Sequence, residues 1–267
     1  KTRGECAASG CVWPEFKGAS FPYLAANMFE ADSGKRILPS HVFKDISGLK
    51  VAFVGAVTRD TPRVISPRAI AGLRFGDEAD TLNALVPELR AAGAQVLVAI
   101  MHEGAVREGG ANDPSCACPT LQGRGVDIAK RLDPAYAIII SGHTHQAYTC
   151  KINGRLLVQA GSFGGWLTES RLKLDTTGKV LDAQAINHPV LQGAYAPNPA
   201  FAALVQRAAA LTTAAREKPV ALLPRGAKRS ASAPYGDSPL GNLVADAHLA
   251  HGKKHAKADI AMTNSGG

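Results

Sequence analysis

The stretch Tyr136-Ala-Ile-Ile-Ile-Ser-Gly-His-Thr-His145 decides the fold class of this chain. Its first half, Tyr136–Ile140, is an apolar run of strand length, and unbroken apolar runs are typical of strands buried on both faces of a sheet. Leu49–Val57 and Gln95–Met101 have the same character. Apolar residues at helical spacing lie between these two strands, in Asp77–Ala92. Strands that alternate with helices predict an α/β domain built in layers.

The helices are predicted from their caps and breakers. Asp77 is a good N-cap, and Gly93 ends the first helix. Pro87 lies within that helix, so we expect a kink or a later start. A second helix is predicted at Gly125–Leu132, before Asp-Pro breaks the pattern.

The rest of the chain contains shorter elements and a change in composition. Strands are predicted at Phe21–Asn27, Leu156–Ala160, Arg171–Asp175 and Asp259–Thr263, a loop at Asp60–Gly76, and helices at Phe201–Lys218 and Leu240–His251. The composition becomes rich in Ala and Pro after about residue 187. We therefore predict a first domain over residues 1–190, a connecting helix over 191–218 and the start of a second α/β domain over 219–267.

Three histidines follow the predicted strands directly. His102 comes after one buried strand, and His143 and His145 come after the next. In open α/β sheets, ligands collect beyond the carboxyl ends of the strands, so these imidazoles should meet. Alternate residues of an extended segment share a face, which would direct both rings of His-Thr-His into one concavity. Imidazole suits zinc and similar ions, so the sequence predicts a metal site.

The number of metal ions is left open by the residues alone. Three histidines can bind a single zinc ion and leave one position open. Two ions need carboxylates as well, and no acid lies at a comparable strand end. Glu103 should point away from its neighbour His102, and Asp113, in the long polar loop, is a weak candidate ligand.

Composition narrows the class of protein. The 267 residues are 46% hydrophobic, which fits a globular chain, and no apolar run reaches the length of a transmembrane helix. The net charge of +8 suits an anionic partner such as a phosphate substrate. Nucleic-acid binding is not predicted, because the densest basic run, Lys253–Lys257, has no aromatic neighbours for base stacking.

The five cysteines point to an oxidising setting. Cys6 and Cys11 could close a small loop, and Cys118 could pair with Cys150, which leaves Cys116 over. Zinc binding by these thiols is the less favoured alternative, because the spacing is not that of a zinc knuckle. Disulfides form outside the cytoplasm, so we expect an extracytoplasmic protein: periplasmic, secreted or at the cell surface.

Several blocks together resemble a known family. Met101–Gly104 and Ser141–His145 resemble the last two metal-binding blocks of calcineurin-like metallophosphoesterases. Phe21–Asn27 is similar to a strand of the 5′-nucleotidase and UDP-sugar hydrolase enzymes within that superfamily. Ser238–Ala247 and Ala261–Gly267 are similar to the opening of that family's C-terminal substrate domain. The resemblance implies a partial α/β/β/α sandwich followed by the start of a second α/β domain.

The resemblance also implies roles for individual residues. His102 and His143 would bind one divalent metal ion and His145 a second, the ions being zinc, manganese or similar. Asn264 would begin the loop that faces the substrate. The family's upstream Asp-x-His, Gly-Asp and Gly-Asn-His-Glu blocks are absent, as are its downstream arginines and base-gripping aromatic pair. We therefore assign no catalytic residue and expect a chain that is truncated at both ends.

The implied activity is metal-dependent hydrolysis of phosphate esters or anhydrides of nucleotides or nucleotide sugars. The parent enzyme would perform it, and we expect the chain alone to be nearly inactive. Two alternatives stay open. One is a non-catalytic fragment or binding protein on the same fold, and the other is a mononuclear zinc hydrolase that uses the three histidines.

Overall fold

The computed structural model describes residues 19–113, 120–176, 178–220, 222–223, 226–229 and 237–263. The described residues up to Asn198 form one compact unit, and those from Pro199 onward form another. The predicted domain boundaries at residues 190 and 218 stay predictions.

The first unit consists mainly of strands. In chain order they are β1 (Met28–Glu30), β2 (His41–Ile46), β3 (Leu49–Val57), β4 (Leu73–Phe75), β5 (Val96–His102), β6 (Val106–Arg107), β7 (Leu121–Gln122), β8 (Tyr136–Ile140), β9 (Ala147–Ile152), β10 (Arg155–Ala160), β11 (Trp166–Leu174) and β12 (Val180–Pro189). The helices of the first unit are α1 (Thr61–Val64), α2 (Glu78–Ala91) and α3 (Arg124–Arg131), with a 3₁₀ turn at Pro67–Ala69. Those of the second unit are α4 (Pro199–Arg216) and α5 (Pro239–Ala256).

A six-stranded mixed sheet forms the centre of the first unit. Its order is β2-β3-β5-β8-β10-β9. The inner strands β3, β5, β8 and β10 run parallel, whereas β2 and β9 pair antiparallel at the two edges. All four parallel strands therefore end at the same edge of the sheet.

The two faces of the sheet are covered by different layers. Helix α2 packs Leu82, Leu85 and Leu89 against one face, together with α3. The antiparallel hairpin β11–β12 covers the other face, where Ala183 joins a cluster that includes Val98. The result is an α/β/β arrangement, three of the four predicted layers. No helix among the described residues is long and apolar enough to span a membrane.

In this unit the predicted strands β3, β5, β8 and β10 and the predicted helices α2 and α3 are confirmed within a residue or two. Asp77 caps α2, with its carboxylate accepting a hydrogen bond from the Asp80 amide at 3.1 Å. The helix begins at Glu78 and continues through Pro87, so the later start allowed by that proline is wrong.

Two predicted strands are wrong. Phe21–Asn27 is irregular, because Ala25 and Ala26 donate to single carbonyls of different segments instead of pairing along a ladder. Both alanines are buried, so the apolar run correctly predicted burial but not conformation. Asp259–Thr263 has no strand among the described residues, and Ile260 there is 78% exposed.

The predicted loop at Asp60–Gly76 contains three short elements, α1, the 3₁₀ turn and β4. Prolines at the first turns of α1 and of the 3₁₀ turn start these elements. Proline is typical of loops, but it is also favoured at the first turn of a helix, so its presence does not exclude short helical elements.

Candidate metal centre

His102 and His143 meet at the carboxyl edge of the sheet. His102 is the last residue of β5, and His143 lies three residues beyond the end of the adjacent strand β8. His143 Nδ1 lies 3.3 Å from His102 Nε2. The predicted meeting of imidazoles beyond neighbouring strands is therefore observed for these two residues.

The separation of these two nitrogens fits two ligands of one metal ion. Zinc–nitrogen bonds of about 2.0–2.1 Å in a tetrahedral site place two ligand atoms about 3.3–3.4 Å apart. The donors are imidazoles, which zinc, copper and iron accept. The pair therefore fits part of a metal site, and further ligands would have to complete it.

His145 contacts a residue outside this pair. Its ring makes an edge contact with Phe163, at a centroid distance of 5.6 Å. Within the part of the chain that the structure describes, no three His, Cys, Asp or Glu side chains form a group that could bind a metal ion. A mononuclear site made of His102, His143 and His145 is thus not formed by the described residues.

The backbone of the loop departs from the extended segment that we expected for His-Thr-His. His143 and His145 have φ values of 70° and 57°, in the left-handed region. Our expectation that alternate residues share a face assumed an extended segment, and two left-handed residues break that alternation. His145 keeps its predicted role as a ligand of a second ion only as a proposal.

Close backbone packing fixes where the loop leaves β8. Gly142 N donates to Glu103 O at 3.1 Å, and Ser141 N donates to Val158 O at 2.9 Å. Gly104 lies so close to the loop that a Cβ there would be 2.2 Å from Gly142 O. Only glycine fits this position, so the segment after His102 and the His-Thr-His loop are pressed together.

Buried hydroxyl groups and one amide lie beneath the loop. Thr144 Oγ1 donates to Ala105 O at 2.7 Å, and Ser141 Oγ lies 2.6 Å from Tyr148 OH. The Gln159 amide is 3.1 Å from both Thr144 Oγ1 and Tyr148 OH. Burial, partly offset by hydrogen bonds from Ser141 and Ala105, raises the pKa of Tyr148 to about 12, so this hydroxyl stays protonated.

A charged network lies beside the histidine pair. Arg124, the first residue of α3, donates to Glu103 Oε2 at 3.1 Å and to both oxygens of Glu78 at 2.8 and 2.9 Å. Glu103 also accepts from Thr58 Oγ1 at 2.9 Å. Burial lowers the pKa of Arg124, but Glu78 and the other carboxylates outweigh it and the net shift is upward. Glu103 points away from His102, as predicted.

This network was missed from the sequence. Arg124 and Glu78 are 46 residues apart, and neither belongs to a recognisable motif. The one feature that indicates the network is the complete burial of Glu78, because a buried carboxylate requires a partner.

Asp113, the weak candidate ligand, is bound to another group. Its carboxylate pairs with the buried side chain of Arg107 at 2.6 Å. The neighbouring Asn112 exchanges two hydrogen bonds with the backbone of Asn187 on β12, at 2.6 and 2.8 Å. These contacts attach the polar loop to the hairpin and keep Asp113 out of the histidine site.

The surroundings of His102 favour its neutral form. Burial, followed by the neighbouring His143 and His145, lowers the pKa of His102, while Glu103 opposes the shift. Neutral imidazole is the form that binds metal ions. A cavity of about 320 Å³ lies nearby at the ends of β8 and β10, lined in part by Ser141, Gln159 and Thr168.

Other predicted site residues lie outside the described part of the chain. These are Asn264 and four of the cysteines, Cys6, Cys11, Cys116 and Cys118. Cys150 is buried on β9. The disulfides and the substrate contact of Asn264 therefore stay predictions.

Relatives of known sequence match almost the whole chain. It is 28% identical over 256 residues to the endonuclease YhcR of Bacillus subtilis, which covers 94% of this chain and 20% of YhcR. It is 29% identical to the cell wall protein Lmo0130 of Listeria monocytogenes, over 96% of this chain and 34% of that protein. A 5′-nucleotidase of Vibrio cholerae is 34% identical over 100 residues, 36% of this chain and 18% of the enzyme. The chain thus spans between a fifth and a third of the length of most of these relatives. No protein-family model matches it.

Solved structures share the fold. The 5′-nucleotidase precursor of Thermus thermophilus superposes with a TM-score of 0.65 at 20% identity, over 88% of this chain and 46% of that one. Three observations indicate the same class of protein. They are the mixed sheet, the histidines at its carboxyl edge and the sequence matches to 5′-nucleotidases. In sequence this chain is similar to 5′-nucleotidases over part of its length, and in fold it is similar to solved 5′-nucleotidase and calcineurin-like phosphoesterase structures.

Proposed function

We propose that this chain forms part of the active site of an enzyme that uses divalent metal ions to hydrolyse phosphate esters or anhydrides of nucleotides. The observation that carries the proposal is the pair His102–His143, whose nitrogens lie 3.3 Å apart beyond adjacent parallel strands. The sequence similarity to 5′-nucleotidases supports the reaction class. Substrates of the 5′-nucleotidase type are proposed because proteins named 5′-nucleotidase match part of this chain. Nucleotide sugars are proposed because the sequence blocks resemble those of UDP-sugar hydrolases.

The residues would act by binding and orienting. His102 and His143 would bind one ion through the facing nitrogens, and His145 would bind a second. Such ions lower the pKa of a bound water and polarise the phosphoryl group. The charged network below the site keeps the Glu103 carboxylate away from the histidines, since Thr58 and Arg124 both bind it.

The described residues supply two converging ligands. A complete dinuclear site also needs bridging and terminal carboxylates, so we propose low turnover for this chain alone. An extracytoplasmic setting is proposed as well. It is supported by the cysteine content and by a relative named as a cell wall protein.

Metal content tests the site directly. Elemental mass spectrometry would count zinc and manganese per chain after purification without chelator. We expect His102→Ala and His143→Ala each to weaken metal affinity at least about 100-fold, because each removes one of few ligands. His248→Ala, on the exposed face of α5, is the control and should bind metal as the parent does. Equal metal content in all four proteins would refute the site.

Activity tests the substrate class. Phosphate or sugar phosphate release from AMP, ATP and UDP-glucose should be measured with added manganese or zinc. The longest available form of the protein should be compared with the chain of 267 residues. No release from any substrate by the longer form would contradict the proposed reaction.

A second candidate is cleavage of phosphodiesters in nucleic acid. It is favoured by the match to a protein named an endonuclease, which covers 94% of this chain. The net charge of +8 is compatible with it. Metal ions would activate water and the phosphoryl group in both reactions. The substrates would differ, because the phosphorus of a diester carries a second ester that stays attached after cleavage. Comparing single-stranded and double-stranded oligonucleotides with AMP in one assay separates the two candidates.

A further inference from the structure

Gln159 lies at the junction between the sheet and the His-Thr-His loop. It is on β10, and only 2% of the residue is exposed. Its amide faces the hydroxyls of Thr144 and Tyr148 at 3.1 Å each, and that of Ser141 at 3.4 Å. Thr144 separates the two histidines of the loop, so Gln159 is linked to both through one side chain.

Counting protons shows which end of the amide must face these hydroxyls. Each hydroxyl donates a single proton. Thr144 gives its proton to Ala105 O at 2.7 Å, and Ser141 gives its proton to Val158 O at 2.8 Å. Tyr148 OH has its shortest contact, 2.6 Å, with Ser141 Oγ, which has already donated and must accept. All three protons are therefore used without Gln159.

Ser141 Oγ accepts from Tyr148, and Tyr148 OH accepts from the Ala105 amide at 3.2 Å. Among the described residues Thr144 Oγ1 has no donor, and the amide nitrogen of Gln159 is the group that can supply one. The oxygen and nitrogen ends of a side-chain amide have nearly the same shape, and the surrounding hydrogen bonds decide their assignment. With Oε1 toward the hydroxyls, Nε2 is buried without a partner. Turning the amide gives Nε2 two acceptors, Thr144 Oγ1 and Tyr148 OH. A carbonyl oxygen then lacks a partner, which is less costly than a buried N–H without one.

We propose that Gln159 is a positioning residue whose amide donates to Thr144 and Tyr148 and thereby holds the His-Thr-His loop in its metal-binding conformation. The inference rests on the proposed metal site. The loop needs such support because two of its residues have left-handed backbone, which persists only where the surroundings impose it. Groups that orient metal ligands typically change metal affinity about 10–100-fold when they are removed.

Four single substitutions test this inference. Gln159→Met keeps the shape and removes both hydrogen bonds, whereas Gln159→Glu keeps acceptors and removes the donors. Thr144→Val removes the hydroxyl that the amide reaches. Thr168→Val is the matched control, because its hydroxyl donates to Asn187 Oδ1 on the neighbouring hairpin strand and does not contact the loop. Each protein would be studied as the full chain.

Zinc affinity would be measured by competition with a chromophoric chelator, and stability by urea unfolding. We expect Gln159→Met and Thr144→Val to weaken zinc binding about 10–100-fold. Gln159→Glu should bind no better than Gln159→Met, and Thr168→Val should bind as the parent does. Equal zinc affinity in Thr144→Val and Thr168→Val would overturn the positioning role. Parental affinity in Gln159→Glu would overturn the donor assignment.

The imidazole NMR signals of metal-free protein separate this inference from the proposed function. If the parent chain binds no zinc, the metal proposal fails on that result alone. The ring signals of His143 and His145 should still shift in Gln159→Met and Thr144→Val, and stay in place in Thr168→Val. Unshifted signals in all variants would overturn the positioning of the loop by Gln159.

Discussion

Two arginines at opposite ends of the sheet, the partly exposed Arg124 and the buried Arg155, bind different partners. Arg124, at the carboxyl end, contacts the buried carboxylates of Glu78 and Glu103. Arg155, at the amino end, donates to the main-chain carbonyls of Ala129, Leu132 and Asp133 at the end of α3. The pKa of Arg124 is raised because its carboxylates outweigh burial, whereas burial lowers the pKa of Arg155.

The two ends also differ in backbone and in cavities. The amino end has a cavity of about 640 Å³, lined by Arg90, Gln95 and Arg155 among others. Its turn has left-handed backbone at Asn153, a residue type suited to that conformation. The carboxyl end has a smaller cavity, but three left-handed non-glycine residues lie there, including the bulky Phe163. Strained backbone and paired imidazoles, not cavity size, distinguish the end where we propose that metal binds.

The largest expected effect compares the two arginines. Arg124→Met leaves two buried carboxylates without their cation, and we expect a loss of about 3–5 kcal/mol in the free energy of unfolding. Arg155→Met removes a buried charge and leaves carbonyls without donors, which should cost about 1–3 kcal/mol. Urea unfolding of both variants measures the difference.

A third variant serves as a control for the loss of an arginine from α3. Arg131 pairs with Asp77 and with the exposed Asp80, and its own side chain is 47% exposed. Arg131→Met should therefore cost only about 0–1 kcal/mol. The contrast between the ends would be broken if Arg124→Met cost no more than Arg155→Met.

The next effect concerns the close packing at the histidine site. A Cβ on Gly104 would lie 2.2 Å from Gly142 O and 2.6 Å from Gln159 Oε1. We expect Gly104→Ala to lower the free energy of unfolding by about 1–3 kcal/mol, because backbone has to move. Metal affinity should fall with it, since the displaced loop contains His143.

Gly110→Ala is the matched control for this substitution. Gly110 lies in the same polar loop, and a Cβ there would meet nothing within 4 Å. Its stability should change by no more than about 0.5 kcal/mol. Similar stabilities for the two alanine variants would show that the loop is not tightly packed on the strand end.

Much of the structure at the carboxyl end of the sheet could be predicted, because it depends on local sequence. Apolar runs located β5 and β8, and parallel strands placed the residues after them at one edge, so the meeting of His102 and His143 followed. The left-handed backbone of His143 and His145 could not be predicted, because the loop makes its close contacts with Gly104 and Gln159. Those contacts join segments distant in sequence, and no local pattern encodes them.

The failed strand predictions have the same origin. The apolar run at Phe21–Asn27 signals burial, but a strand also needs a neighbour with free backbone groups along its length. Ala26 N reaches only Gly55 O, where Leu24 lies against a glycine that has no side chain. Hydrophobic pattern therefore predicted which residues are buried better than it predicted backbone conformation.

The smallest expected effect is the pH dependence that comes from Asp77. Burial alone would raise the pKa of this carboxyl. Hydrogen bonds from Arg131 and from the Asp80 amide lower the pKa by more than burial raises it, so the net shift is downward. A carboxylate with a lowered pKa in the folded state adds stability above its unfolded pKa of about 3.9. That stability, about 0.2–1 kcal/mol for such a partly exposed pair, is lost as pH falls through the folded pKa.

Asp77→Asn isolates this contribution, because its amide oxygen can still cap α2 while the charge is gone. We expect its stability to fall less steeply than that of the parent below about pH 4, where Asp77 would begin to take up a proton. Asp259→Asn, at an exposed aspartate in the second unit, should leave the slope unchanged. Urea unfolding between pH 2.5 and 6 measures all three slopes, those limits bracketing the roughly 3.9 of an unperturbed aspartate. Parallel curves for the parent and Asp77→Asn would mean that Arg131 does not stabilise the charged form of Asp77. Of the ion pairs that join α2 to α3, only that of the buried Glu78 would then contribute to stability.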